Sequence, residues 1–192
     1  AALLHDIGKP EAKKVVKTPQ GETNTFYRHE QISAEIARKM LFRLKFSNTE
    51  TENICHLIEN HMFNYEPTWK DSAVRRFLVK VKAENVDDLF DLRLADIYGM
   101  HNLPVRIHDS PAVAILLEFK ERIEKEEQKK SALSLKNLAV NGKDLIEIGI
   151  PSGKELGEIL NELFETVLED PLQNKKEILL NIAKKIYENR NL

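Results

Sequence analysis

Along most of the chain, apolar residues recur at spacings of three and four, the period of an α-helix with one buried face. Ala1, Leu4, His5 and Gly8 share a face of a short opening helix over residues 1–8. Ile32, Ile36, Ala37, Met40 and Leu44 predict a helix from Glu30 to Leu44, and Ile54, Leu57 and Ile58 predict the next, with Asn48 as its cap. Val74, Phe77 and Leu78 follow Asp71 or Ser72, either of which can cap their helix. Val86, Leu89, Phe90 and Leu94 mark another helix. Residues 112–130 predict a long one, whose second half, Glu118 to Lys130, mixes both charges and reads as a solvated face. The helical period is interrupted once. Lys13–Lys17 and Thr25–Tyr27 are β-prone runs around the turn Pro19-Gln20-Gly21, which predicts a small hairpin between helices.

Residues 101–111, with two His and two Pro, read as a loop, and a boundary falls near Ser131–Ser134. Beyond it, Asn141-Gly142-Lys143-Asp144 starts a helix that Gly149 ends. Leu156, Ile159, Leu160, Leu163 and Val167 form the apolar face of a helix over 154–169. Asp170-Pro171 breaks it, and a last helix runs from Asn174 to Glu188. The expected fold class is all-α. A helical bundle with a β-hairpin insertion occupies residues 1–130, and a smaller helical unit occupies residues 131–192.

Composition narrows the function classes. The 192 residues suffice for one large or two small domains, and 42% hydrophobic content suffices for a core. With 31% charged residues the surface is strongly ionic, yet the net charge is only -2. That balance excludes a strongly basic nucleic-acid binder, so any RNA contact must come from a local patch. One cysteine, Cys55, excludes a disulfide framework and fits a cytoplasmic protein. No apolar run reaches membrane-spanning length, so no membrane partner is expected. Ala1-Ala2-Leu3-Leu4 opens on a core-facing turn with no preceding cap, which predicts that the natural chain continues upstream. A start codon directly before Ala1 in the gene would refute this.

The densest chemistry is the pair His5-Asp6. Adjacent residues on a helix lie about 100° apart, so an imidazole and a carboxylate can both reach one metal beside it. His29 lies three residues before Ile32, His61 three after Ile58, and Asp96 seven after Leu89. Each is a polar group on an otherwise inward face. Alone, each can be a satisfied core residue, and Asp96 can pair with Arg93 or Arg75. A buried carboxylate without any partner is very costly. As a set, His5, Asp6, His29, His61 and Asp96 offer mixed nitrogen and oxygen ligands suited to a divalent Mn, Fe, Ni or Co ion, or to Mg. A structural zinc would prefer thiolates. Lys9 can steady a substrate phosphate or serve only to offset a helix dipole. His56 reads as solvated, and His101 and His108 are weaker candidates. In the C-terminal unit the turn Gly149–Gly153 precedes a helix start flanked by Lys143 and Lys154, a candidate contact for phosphate groups of an RNA. Helix packing explains the same glycines. Residues 132–192 carry 8 Lys/Arg against 10 Asp/Glu, which argues against a broad RNA face.

These residues resemble the HD superfamily of metal-dependent phosphohydrolases, in which a His-Asp pair and a late Asp bind metal and two intervening His can join them. His5-Asp6, Asp96, and His29 with His61 match those positions; the family's early His has no counterpart in this chain. The resemblance is closer still to bacterial tRNA nucleotidyltransferases and poly(A) polymerases. It rests on Arg28-His29-Glu30-Gln31-Ile32-Ser33-Ala34, Leu41-Phe42-Arg43-Leu44-Lys45-Phe46-Ser47-Asn48, His61-Met62 and Leu94-Ala95-Asp96. Asn141-Gly142-Lys143-Asp144-Leu145, Gly149 to Gly157 and Asn174-Lys175-Lys176-Glu177 extend it. It implies a tRNA or other RNA 3′ end as partner and a nucleotide or other phosphoester as substrate. It also implies a polymerase head domain N-terminal to the region seen here, for which this chain carries no motif. The alternative is a stand-alone HD phosphohydrolase acting on nucleotides.

Overall fold

The computed structural model describes residues 1–100, 110–129 and 134–190. The loop expected at 101–111, with His101 and His108, lies almost wholly outside them, as does most of the stretch 131–134. Nine α-helices and a two-stranded antiparallel hairpin are found among the described residues. The chain is therefore mostly helical with a small hairpin, as its hydrophobic period predicts. None of these helices is long and apolar enough to cross a membrane.

The chain divides into two compact units, Ala1–Glu66 with Val81–Leu117, and Pro67–Lys80 with Glu118–Leu192. The expected cut between residues 130 and 131 falls inside the second unit. Side-chain bonds draw residues 67–80 and 118–129 into that unit, as described below.

In the first unit the opening residues are not a helix. Leu4 N donates to Ala1 O at 2.9 Å, Ile7 N to Leu4 O at 3.3 Å and Lys9 N to Asp6 O at 3.0 Å, so residues 2–8 are a succession of tight turns. Helix α1 (Lys9–Ala12) begins only after Gly8. Strands β1 (Lys14–Thr18) and β2 (Gly21–Thr25) pair with Lys14 opposite Thr25 and Thr18 opposite Gly21. The two-residue turn Pro19-Gln20 sets this register, so the second strand starts at Gly21 rather than at Thr25.

Helices α2 (His29–Arg43) and α3 (Asn48–Asn60) form the core of this unit. The buried stripe of α2 is His29, Ser33, Ala34, Ala37 and Leu41, whereas Leu44 is exposed. The stripe is rotated from the 32-36-40-44 line that its larger apolar residues suggest, because small side chains at 33, 34 and 37 allow close packing. Helix α3 is capped by Ser47 and not by Asn48. The Ser47 hydroxyl accepts from Glu50 N at 3.2 Å while the Glu50 carboxylate accepts from Ser47 N at 2.9 Å, a reciprocal capping box. The α2–α3 connection is a Schellman turn, with Phe46 N donating to Leu41 O and Lys45 N to Phe42 O, both at 3.1 Å. Helix α5 (Val86–Met100) also belongs to this unit, and Phe63 stacks on Phe90 at 5.4 Å.

The second unit contains most of α4 (Asp71–Val81), the latter part of α6 (Pro111–Gln128), and α7 (Gly142–Glu147), α8 (Lys154–Glu169) and α9 (Lys176–Arg190). Ile159, Leu163 and Val167 of α8, Leu179 and Ala183 of α9, and Leu145 and Ile150 close one core. Asn141 caps α7 in a second capping box with Asp144. A second Schellman turn ends α7, with Gly149 in the left-handed region at φ +96° and Ile150 N donating to Leu145 O at 3.1 Å. Beside these lies a polar knot. The buried Arg75 donates through Nη1 to the buried Glu126 at 2.7 Å, through Nε to Leu168 O at 2.7 Å, and through Nη2 to Glu169 O at 3.1 Å.

Nearby, Arg122 and Lys129 each donate to Asp71 at 3.0 Å. Those bonds, Lys129 first, hold the Asp71 carboxyl down at about 2 against an ordinary 3.8. A depressed carboxylate contributes stability that is fully present above 3.8 and lost as pH falls toward 2. The stability difference between the wild type and Asp71→Asn is therefore expected to shrink over that window in urea titrations. A difference that stays constant across it would contradict this account.

Candidate metal centre

Four segments of the first unit bring the predicted site residues together. Gly8 seats the opening turns, because its N–H donates to the Ser33 hydroxyl of α2 at 2.9 Å. No side chain fits there: a Cβ on Gly8 would lie 2.6 Å from Ser33 N and 2.9 Å from His29 O. This contact sets His5 and Asp6 beside the start of α2, where His29 is the first residue. Arg28, directly before it, takes a left-handed conformation at φ +63°, sparsely populated for a residue with a side chain. His61 follows the last turn of α3, and Asp96 projects from α5.

The distances are short. His29 Nε2 is 3.3 Å from Asp6 Oδ1 and 3.3 Å from His61 Nε2. His61 Nε2 is 3.9 Å from Asp6 Oδ1, and His5 Nε2 is 3.4 Å from Asp6 Oδ2 and 3.6 Å from Asp96 Oδ1. Ligand atoms of His5, Asp6 and His61 all lie within 4.8 Å of one another. Lys9 donates to Asp6 Oδ2 at 2.5 Å and Arg93 to Asp96 Oδ2 at 2.9 Å. The carboxylates thus keep their other oxygens toward the histidines. Arg75, the other cation considered for Asp96, is committed to Glu126.

The protons follow from the outer contacts. His5 Nδ1 meets Ala2 O at 2.7 Å, His29 Nδ1 meets Phe26 O at 2.9 Å, and His61 Nδ1 meets Ile58 O at 2.7 Å, each a backbone carbonyl three residues upstream. A carbonyl only accepts, so each Nδ1 carries its hydrogen, and in the neutral ring Nε2 then holds a lone pair. All three lone pairs face the centre. Burial, against the bond to Ile58, keeps the His61 imidazole below its ordinary pKa and so neutral. Burial also pushes the Asp6 carboxyl up, but the hydrogen bond and charge of Lys9 act against it, and the carboxyl is left lowered. Among the described residues, His5 Nε2 and Asp6 Oδ1 are buried without a hydrogen-bond partner. Lone pairs facing one another and a carboxylate across 3.3 Å repel unless a cation lies among them. The donor set therefore fits a divalent ion of the kind expected for mixed nitrogen and oxygen ligands.

The cluster lies in a cleft of about 650 Å³ whose rim includes Tyr27, Met62 and Met100, all largely exposed. These three and the Gly8–Ser33 contact are absent from the sequence-derived set. Glycine two residues after Asp6 was the available signal for the contact, whereas exposed side chains far apart in sequence give none for the rim. His56 is not solvated: its Nε2 meets Val81 O at 2.8 Å. Lys143 and Lys154 are both exposed and belong to the second unit. Lys154, the first residue of α8, also pairs with Glu158 at 3.5 Å.

Fold and cluster together define an all-helical protein with convergent imidazoles and carboxylates in one cleft. Residues 24–183 match the family model described as tRNA nucleotidyltransferase domain 2, and the chain belongs to that family. Over 177 residues, 92% of the chain, it is 29% identical to a CC-adding tRNA nucleotidyltransferase of Thermus thermophilus, and covers 37% of that protein. Over 96 residues, half the chain, it is 32% identical to an A-adding tRNA nucleotidyltransferase of Deinococcus radiodurans, and covers 21% of it. A CCA-adding enzyme of Ligilactobacillus salivarius is 45% identical over 58 residues, 30% of the chain and 14% of that protein. The chain thus spans about a third or less of the curated relatives it matches. No solved structure matches it significantly.

Proposed function

We propose that the unit bearing the cluster, within residues 1–130, is an HD-type, metal-dependent phosphohydrolase domain, and that residues 131–192 contribute a helical RNA-binding body to the second unit. Together they would be the C-terminal region of a cytoplasmic tRNA nucleotidyltransferase or poly(A) polymerase relative acting at the 3′ end of tRNA or another RNA. The observation that carries this reading is the convergence of three Nε2 lone pairs on Asp6, with Asp96 alongside. His5, Asp6, His29, His61 and Asp96 hold the divalent ion. When bound, it supplies Lewis-acid polarisation of a phosphate ester and activation of water. Lys9 orients Asp6 and, being half-exposed in the cleft, can meet a substrate phosphate. Arg93 holds Asp96 from behind. The cleft is within the size range of sites for nucleotide-sized ligands. Nucleotide addition itself would belong to a longer protein bearing the polymerase head. Lys143 and Lys154 are the proposed RNA contacts of the body.

Metal content after Mn or Ni loading tests the centre, with hydrolysis of a nucleoside 2′,3′-cyclic phosphate as the activity readout. His5→Ala and Asp96→Ala are each expected to weaken metal retention by about tenfold or more. Wild-type metal levels in both variants would refute the assignment. In the same series, reversing charge at Lys143 and Lys154 should lower tRNA affinity and its salt dependence. Unchanged affinity removes the RNA contact from the proposal and leaves the metal centre standing.

A further inference from the structure

At the end of α2 opposite His29, about 20 Å along the helix axis, the surface changes character. Phe42, Leu44 and Phe46 are 72%, 60% and 43% exposed, three large apolar side chains within five residues. Single exposed apolar residues are ordinary, but a cluster of this kind marks a contact surface. Cations alternate with them. Lys39, Arg43 and Lys45 are exposed and form no side-chain hydrogen bond or ion pair among the described residues. Of the nearby acids, Glu52 is paired with Arg38, Glu50 is bonded in the capping box of α3, and Glu35 lies one turn before Lys39. Lys39, Arg43 and Lys45 outnumber the two carboxylates that have no cationic partner among the described residues, so the patch is positive on balance. A cleft of about 350 Å³ between Lys39, Phe42, Asn48 and Thr51 adjoins it.

The backbone supplies a second observation. Lys45 sits in the left-handed region at φ +64°, at the turn position where α7 uses Gly149. Both turns make the same pair of hydrogen bonds, and glycine is the residue this conformation favours. The lysine strains the turn and in return places a cation between Leu44 and Phe46.

We propose that this patch binds single-stranded RNA, with bases stacked on Phe42 and Phe46 and phosphates held by Lys39, Arg43 and Lys45. Aromatic faces between free cations are the composition that single strands recognise, whereas a duplex hides its bases. Membership in a tRNA nucleotidyltransferase family makes RNA the relevant polyanion. The inference draws on the RNA part of the proposed function and is independent of the metal centre.

The test is anisotropy titration of labelled oligo(U) and oligo(A), and of an RNA duplex of equal length, with the 192-residue chain. Lys45→Gly should raise the melting temperature, because strain is relieved, and yet weaken oligonucleotide binding and reduce its log–log salt slope by about 0.7. Phe42→Ser, at an exposed position, should weaken binding by about tenfold or more while leaving bound metal unchanged. The proposal is overturned if Lys45→Gly gains stability with no loss of affinity, or if the duplex binds better than the single strands. It is equally overturned if Phe42→Ser leaves RNA affinity intact while dissociating a dimer in light scattering, since the occupant would then be a second copy of the chain.

Discussion

Replacing Arg75 with alanine is expected to destabilise the second unit by about 3–5 kcal/mol, the loss typical of breaking a buried ion pair from one side. Glu126 is only 2% exposed and, among the described residues, would keep Lys129 alone as a cationic partner. The carbonyls of Leu168 and Glu169 at the end of α8 would also lose their donor. Removing one partner is worse than removing both, because it strands a desolvated charge. Arg75→Met combined with Glu126→Leu should therefore recover most of the loss. The chain's single tryptophan, Trp69, packs edge-on against Phe119 at 5.8 Å in this unit, so its fluorescence in denaturant reports the relevant transition. A loss below about 1 kcal/mol, the scale of an exposed pair, would contradict the buried-knot account.

Gly8→Ala is expected to weaken metal binding without touching a ligand. The new Cβ would lie 2.6 Å from Ser33 N, a backbone atom inside α2 that cannot swing aside. The opening turns must therefore move off α2 and carry Asp6 away from His29 and His61. Overpacking of this kind costs about 1–3 kcal/mol. A displaced ligand should reduce affinity by about tenfold or more, on the scale of disturbed supporting contacts. Mn titration by calorimetry and thermal melting read both effects. Gly99→Ala is the control, since nothing lies within 4 Å of its added Cβ and alanine suits its place in α5. Wild-type Mn affinity in Gly8→Ala would show that the glycine does not seat the site.

Much of this was legible from residue spacing. The helices over 154–169 and 71–81 lie where their apolar periods put them, because a long amphipathic repeat has one low-energy way to bury its face. The opening segment departs from the predicted helix because eight residues hold little periodic information, and its turns are fixed by Gly8 against Ser33, far away in sequence. The buried stripe of α2 differs from the predicted one because large apolar residues outweigh small ones in a pattern, whereas close helix packing selects Ser33, Ala34 and Ala37. His56 reads as solvated in the sequence because its partner, the Val81 carbonyl, has no signature there.

The sequence by itself determined an all-helical chain with a hairpin insertion, that His29, His61 and Asp96 stand on helix faces that turn inward, and that His5-Asp6 is the densest pair of candidate ligands. These are local properties, set by side-chain period and by the cost of burying charge. The tertiary structure decided how those residues meet. Gly8 against Ser33 brings the opening turns to α2, and three backbone carbonyls turn three Nε2 lone pairs onto one carboxylate. It also decided that Arg75 holds Glu126 and leaves Asp96 to Arg93, and that Phe42, Leu44 and Phe46 stay in water. Such choices depend on contacts between residues distant along the chain, and a hydrophobic period carries no information about them.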